Sequence, residues 1–193
     1  MPSPIAHLGV GYAIYQNFKD KLPQDQRKTW KIPLLLILVA GFSILPDMDV
    51  IPAILFRDME AYHNNFSHSL FFAVPVALFV AGIFRWFYRT NFWLWFVICL
   101  ISYNLHVIMD ALTAERGVMM FWPLTEVRFA SPVKIFYGLQ WGLGWFSLWH
   151  LWTFITEALF VFVVIWATNY FRRLRDEKRE LSAREIEIVE KYR

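Results

Sequence analysis

Charge is scarce in this chain. Only 18% of its 193 residues are Asp, Glu, Lys or Arg, while 58% are hydrophobic and 19% aromatic. A soluble domain of this size carries more charge and fewer aromatics. Cysteine is nearly missing. The single Cys99 lies in an apolar run, which excludes an intramolecular disulfide and a cysteine-based metal site. Internal repeats and low-complexity segments are absent. The N-terminus lacks the basic start of a signal peptide, so its apolar stretch, carrying His7, is expected to stay in the mature protein. What is abundant points to a bilayer: nineteen Phe and ten Trp suit helices that face lipid, with Trp near the interfaces.

The pattern along the chain predicts an all-α, polytopic membrane helix bundle of about five spans. Ser3-Pro4 reads as a cap followed by the first helical residue, opening a helix from Pro4 to Phe18. Residues 19–31 form a polar loop with Lys19, Lys21, Arg27, Lys28 and Lys31. An apolar run from Ile32 to Leu45 meets Pro46, ahead of Asp47-Met48-Asp49, and apolar character resumes to Phe56, so the Asp pair is expected at a break. A polar loop over 57–68 carries His63 and His68. Ser67 or a neighbour can cap a span from Ser69 to Tyr88, closed by Arg85 and Arg89. Asn91 can cap the next, Phe92 to Leu112. After a mixed loop, residues 132–146 with three glycines, Lys134 and Gln140 read as interfacial or re-entrant. Ser147 can cap the last span, Leu148 to Phe171. The organisation expected is one membrane-embedded domain over 1–171 and a charged cytoplasmic tail helix over 172–193, where Ser182-Ala183-Arg184-Glu185 fits a capping box.

Five spans place the Lys- and Arg-rich segments 19–31, 85–91 and 172–193 on one side, which the positive-inside rule assigns to the cytoplasm. The other side then receives His7, the Asp47–Asp49 turn, the His63–His68 loop, and the end of the helix with His106 and Asp110. Asp47 lies roughly 24 Å beyond Lys31 at the helical rise, and His106 about 21 Å beyond Asn91. In a core about 30 Å thick, both come to headgroup level on the extracytoplasmic face.

These seven residues are the candidate metal ligands: His7, Asp47, Asp49, His63, His68, His106 and Asp110. His and Asp together bind a Zn²⁺-like ion, and ionisable groups in or beside a bilayer core need partners or a task. His106 and Asp110 are four apart and share a helix face, the geometry of two ligands or of a ligand with its orienting carboxylate; a plain helix-stabilising pair is the bland reading. Asp47 and Asp49 cannot share a helix face, but a Pro-broken turn can aim both into one site. His63, His68 or His7 alone would read as incidental. Four of the five histidines fall on the face that receives three Asp, which weighs for a joint site. His150 and Glu157 are seven apart on one helix face, and Glu157 inside a span is either functional or a structural partner. The basic tail suits anionic headgroups or solvent and does not suggest nucleic acid.

Pro46-Asp47-Met48-Asp49, then His63-x4-His68-Ser69, then His106-x3-Asp110 with Thr113, Gly117 and Pro123, together with His7-x-Gly9, resembles the YdjM-type membrane-bound metal-dependent hydrolases over roughly residues 4–125. Asn64 stands where the family pattern often carries Arg. The resemblance implies a polytopic, multi-pass cell-membrane hydrolase with His and Asp as ligands. A more distant similarity, at the level of fold, is to the zinc-dependent phospholipases C. The expected mechanism is one or two Zn²⁺-like ions activating a water, with Asp49 or Asp110 taking its proton. The expected substrate is a phospholipid or lipid-linked phosphoester, with Arg57, Arg116 or Arg128 on its phosphate. The competing readings are an ion or proton transporter using the same cluster with Glu157 as relay, and a scaffold with a structural metal.

Overall fold

The computed structural model describes residues 2–21, 32–139 and 147–192. Within them the protein is helical, with two isolated β-bridges and no named strand. The helices are α1 (Pro4–Phe18), α2 (Ile32–Phe42), α3 (Val50–Leu55), α4 (Met59–Tyr62), α5 (Ala73–Tyr88), α6 (Phe92–Ala111) and α7 (Leu148–Lys191), with 3-10 turns at Lys19–Lys21, Pro46–Asp49 and Phe66–His68. Residues 22–31 and 140–146, including the basic loop and Gln140 of the sequence analysis, lie outside the described residues.

Local chemistry sets most helix ends. Ser3 Oγ accepts from the Ile5 N–H, with Pro4 at the first helical position. Asn91 Oδ1 accepts from Leu94 N–H at 3.1 Å, and Ser147 Oγ from Trp149 N–H at 3.2 Å. Pro46 cannot continue the α2 ladder. The chain tightens into the Pro46–Asp49 turn, and the axes on either side differ by 62°. Two boundaries differ from expectation. α5 starts at Ala73 rather than Ser69: Ser69 Oγ accepts from the Phe71 N–H at 3.1 Å, but it closes a turn over residues 70–72 that precedes the helix, while its hydroxyl donates to Trp122 O. The tail has no new start at Ser182. α7 runs unbroken for 44 residues, so that capping box sits inside a helix already satisfied by its own ladder.

α6 and α7 are long and apolar enough to cross a membrane, and the bent α2–α3 pair is a third crossing if it acts as one span. Helix directions follow from paired contacts. Ser43 Oγ donates to the His7 carbonyl, and a Cβ on Gly11 would meet Ala40 Cα at 2.7 Å. The pairings 7–43 and 11–40 run oppositely, so α1 and α2 are antiparallel. Ser3 bonds Glu157, Tyr12 bonds Asn169 at 3.1 Å, and Gln16 O accepts from Arg172 at 2.6 Å. These pairs advance together, so α1 and α7 are parallel. α5 and α6 form a hairpin closed at Arg89–Asn91, where Thr90 Oγ1 donates to Phe84 O at 2.9 Å.

Lipid tails are as apolar as Leu, so helices in a bilayer associate through close packing of small residues. Ala73, Ala77 and Ala81 recur every four residues on the face of α5 that is sealed from solvent. Ala77 and Ala81 join Trp95, Ile98 and Cys99 of α6, with Ile14, Val39 and Phe42, in one core cluster. Gly9 brings α1 against Val161 of α7, and Gly11 brings it against α2. Glu157, fully buried, is a structural partner: its carboxylate accepts the Ser3 N–H at 2.8 and 3.0 Å and the Ser3 hydroxyl. A carboxylate at the start of α1 also suits the helix dipole.

Gly11 and Gly41 make a paired test. Gly11→Ala forces its Cβ into the Ala40 backbone and is expected to cost about 1–3 kcal/mol. A Cβ on Gly41 meets nothing within 4 Å, so Gly41→Ala should be neutral or stabilise by about 0.5–1 kcal/mol. Thermal unfolding of the two variants in the same detergent measures the difference; equal midpoints would remove Gly11 from the α1–α2 contact.

Candidate metal centre

All seven residues singled out from the sequence meet at one end of the bundle. α1 supplies His7 from its second turn. The Pro46 break stops α2 where its continuation would carry Asp47 away, and turns Asp47 and Asp49 inward. The Phe66–His68 turn delivers His68, and the last turns of α6 deliver His106 and Asp110 on one face.

Four donor atoms face one another: Asp47 Oδ1, His68 Nε2, His106 Nε2 and Asp110 Oδ2. The two imidazole nitrogens are 3.3 Å apart. Asp47 lies 3.5 Å from His68 and 3.4 Å from His106; Asp110 lies 3.1 Å from His68 and 3.4 Å from His106. Asp47 and Asp110 are within 4.8 Å of each other. A regular tetrahedron of N and O donors ~2.0–2.1 Å from its centre has edges of about 3.3–3.4 Å, so these five separations match five of the six edges of a coordination tetrahedron.

The proton positions implied by the outer contacts agree. His106 Nδ1 donates to Ser43 O at 2.8 Å, and His68 Nδ1 lies 3.1 Å from the Ser67 hydroxyl, itself bonded to Asp49, and 3.1 Å from Asp49 Oδ2. With both Nδ1 atoms committed as donors, both Nε2 lone pairs point into the cluster, the arrangement that prepares imidazoles for a metal. Two lone pairs at 3.3 Å repel unless a proton or a metal cation lies between them. The carboxylates supply the opposite charge, yet Asp47 Oδ1 and both Asp110 oxygens have no hydrogen-bond partner among the described residues. They approach the imidazoles without hydrogen-bonding geometry. Such buried, unsatisfied oxygens are costly. A divalent ion satisfies all four atoms at once, and the residues fit it. Burial alone would lower the His68 pKa, but Asp110, Asp47 and Asp49 hold it well above its usual value; the pocket stabilises positive charge.

The other three residues surround this set. Asp49 binds the far side of His68. Its Oδ1 accepts from His63 Nδ1 at 2.6 Å, and its Oδ2 from Asn64 N–H at 3.1 Å and from the Ser67 hydroxyl. His7 is fully buried, stacked on His106 with ring centroids 3.8 Å apart, and its Nε2 is 3.5 Å from Asp110 Oδ1. Access is uneven. The side chains of His68, His106 and Asp110 are 0–1% exposed, against 14% for Asp47.

Several supporting residues were missed in the sequence. Ser43 holds His106 through its carbonyl and α1 through its hydroxyl. Ser67 anchors Asp49, and the Tyr103 hydroxyl donates to Ser67 O. A serine inside an apolar run was the only signal for Ser43. Arg116 and Arg128, two of the three arginines that the sequence offers for a phosphate, hold the histidine loop. Arg116 donates to His63 O at 2.7 Å, and Arg128 donates to Asn64 O at 2.9 Å and to the Asn65 side chain. Residues 132–139 are not helical; Ile135 N–H donates to Leu112 O at 2.8 Å, binding this segment to the end of α6.

Comparison with known proteins follows the same lines. The family described as "YdjM inner membrane protein" matches residues 1–177. The chain is 31% identical over 144 residues to "Inner membrane protein YbcI" of Escherichia coli (strain K12), covering 70% of this chain and 75% of that one. Neither description names a reaction. No solved structure matches, so the similarity to the zinc-dependent phospholipases C has no structural counterpart. The apolar helices, the ordered His and Asp motifs and the match over nearly the whole length agree: this chain is a membrane protein belonging to the YdjM inner membrane protein family.

Proposed function

We propose that the protein is an integral-membrane hydrolase built on a divalent ion, Zn²⁺ by the donor chemistry, held by Asp47, His68, His106 and Asp110. The metal is carried by five of the six separations among those donor atoms, which match tetrahedral edges; hydrolysis rests on the partly exposed corner at Asp47. Asp49 and His63 then orient His68, and His7 backs His106 and Asp110. One ion accounts for the geometry. The second group, Asp49 with His63 and His68, closes on a 2.6 Å contact, which is a hydrogen bond and shorter than an edge between two donors on one ion.

When bound, such an ion lowers the pKa of a water towards ~7 and polarises the oxygen of an ester or phosphoester. Asp47 is the most exposed of the four donors; activating a water at the ion requires its carboxylate to leave that corner open, from where it would accept the proton of the attacking water. From the sequence, Asp49 or Asp110 is expected in that role. Asp49 has both oxygens engaged, and Asp110 is sealed. His68 keeps its direction because Asp49 grips its Nδ1, while Arg116 and Arg128 hold the loop that carries His63. A lipid-like substrate is supported by the apolar ledge that follows the Asp pair: Met48, Ile51, Ile54, Leu55 and Phe56 are each at least half exposed. Arg57, exposed at the end of that ledge, is the cation left for a phosphate.

The membrane arrangement proposed is five crossings, by α1, the α2–α3 pair, α5, α6 and α7. Parallel α1 and α7 both begin at the cluster end, which supports an odd number of crossings with none added over 132–146. Lys19, Lys21, Arg85, Arg89 and Arg172 then share the opposite end. The positive-inside rule makes that end cytoplasmic and puts the centre near the extracytoplasmic face. Residues 1–171 form the embedded domain and 172–193 the cytoplasmic tail. Against a transporter stands Glu157, whose carboxylate is occupied by Ser3. A structural metal has one observation in its favour: four protein donors close the tetrahedron, as in structural sites.

Purified protein should carry about one divalent transition ion per chain by elemental analysis. His106→Ala should lose it, and Asp49→Asn should keep the site but weaken affinity by about 10–100-fold. Metal-free protein under non-chelating conditions would sink the centre. For topology, single cysteines at positions 58 and 185 in a Cys99→Ser background should label from opposite sides of the membrane; labelling from one side contradicts five crossings.

Turnover separates the enzyme from the scaffold. Metal-loaded protein should cleave a phospholipid in vesicles faster than a soluble phosphodiester. Asp47→Asn, at matched metal content, should slow it by about 10²-fold or more. Full metal occupancy with no hydrolysis across an ester, phosphoester and peptide panel would leave the structural-metal reading. Ion movement across vesicles that depends on Glu157 would select transport.

A further inference from the structure

A second charged feature lies at the end of the bundle opposite the centre. On α5, Leu78, Gly82 and Arg85 recur at four- and three-residue steps and share one helix face, with Phe79 and Trp86 beside them and Arg89 at the residue that ends the helix. Gly82 leaves that face open: a Cβ there would meet nothing within 4 Å. The result is a groove of about 340 Å³ lined by Gly82, Arg85, Trp86 and Arg89. Both guanidiniums are exposed, and among the described residues no carboxylate pairs with either. Arg89 has φ 52°, in the left-handed region. Glycine is the usual residue there, because a Cβ is strained in that conformation. A long cationic side chain is nevertheless held at this point.

We infer that this groove binds an anionic phospholipid of the surrounding leaflet. Its phosphodiester would lie between Arg85 and Arg89, where two guanidiniums give charge-assisted hydrogen bonds. The Trp86 indole suits the boundary between headgroups and acyl chains. Leu78 and Phe79, 45% and 70% exposed, continue the same face towards the middle of the helix. Leu78 lies about 16 Å from Arg89 at the helical rise, so acyl chains have an apolar track that a free phosphate would leave bare. The inference rests on α5 crossing the membrane and is independent of the metal centre and its reaction.

Native mass spectrometry of the full-length protein in mild detergent tests it, with phosphatidylglycerol and phosphatidylcholine as probes. Phosphatidylglycerol should be retained about tenfold more than phosphatidylcholine. Arg85→Gln/Arg89→Gln should abolish that preference. Gly82→Leu, which keeps both arginines but fills the groove, should abolish most of it. Unchanged retention in the double-arginine variant would overturn the site. Unchanged retention in Gly82→Leu would mean diffuse charge rather than a groove, and would overturn it equally. Displacement by millimolar inorganic phosphate would show a plain anion site and reject the lipid. Metal content should be the same in all variants, which separates failure here from failure of the hydrolase reading.

Discussion

Two imidazole Nε2 atoms facing each other across 3.3 Å, in a pocket shared with two carboxylates, are the constraint around which this end of the molecule is organised. Buried like-facing lone pairs and unpaired carboxylate oxygens both raise the energy of a dry pocket, and each is tolerable only with a positive charge among them. Everything that fixes the two rings therefore matters. The Ser43 carbonyl fixes one, and Asp49, itself gripped by His63, Asn64 and Ser67, fixes the other.

That constraint reaches into the bundle through small residues and one buried carboxylate. His7 can stack on His106 only if α1 lies close to α2, which Gly11 allows, and at a fixed height along α7, which the Glu157–Ser3 bonds set. The parallel packing of α1 and α7 follows from the same contacts. A residue that looks like a proton relay in a span is thus the pin that sets the register of the helix bearing His7. The two ends of the bundle then differ in kind. One is a sealed cluster open at a single corner, and the other is an open basic rim of exposed arginines.

The extramembrane loops are tied down by similar logic. Arg116 and Arg128 spend their donors on carbonyls of the 59–65 segment and on Gly117. Their charge serves loop geometry, so the histidine between them is held as firmly as one on a helix. The Asn64 backbone, at φ 60°, bends the loop so that its N–H reaches Asp49. That bend is a local cost met by a bond to the residue that orients His68.

Much was legible in the sequence because it is encoded locally. Ser3, Asn91 and Ser147 cap helices where their hydroxyl or amide oxygens reach the nearest free N–H, and Pro46 breaks α2 because it lacks one. Charge asymmetry grouped the seven His and Asp residues at one end. The start of α5 and the unbroken α7 were misread because Ser67, Ser69 and Ser182 have the residue type of a cap, while their bonds depend on what lies nearby in space. Spacing along a chain gives which face a side chain takes, not the distance between faces on different segments. Only the tertiary structure could decide that Asp47, rather than Asp49, faces His106 and Asp110, that Glu157 belongs to Ser3, and that two arginines hold a loop. Each of those depends on residues distant along the chain brought within at most 3.5 Å by packing.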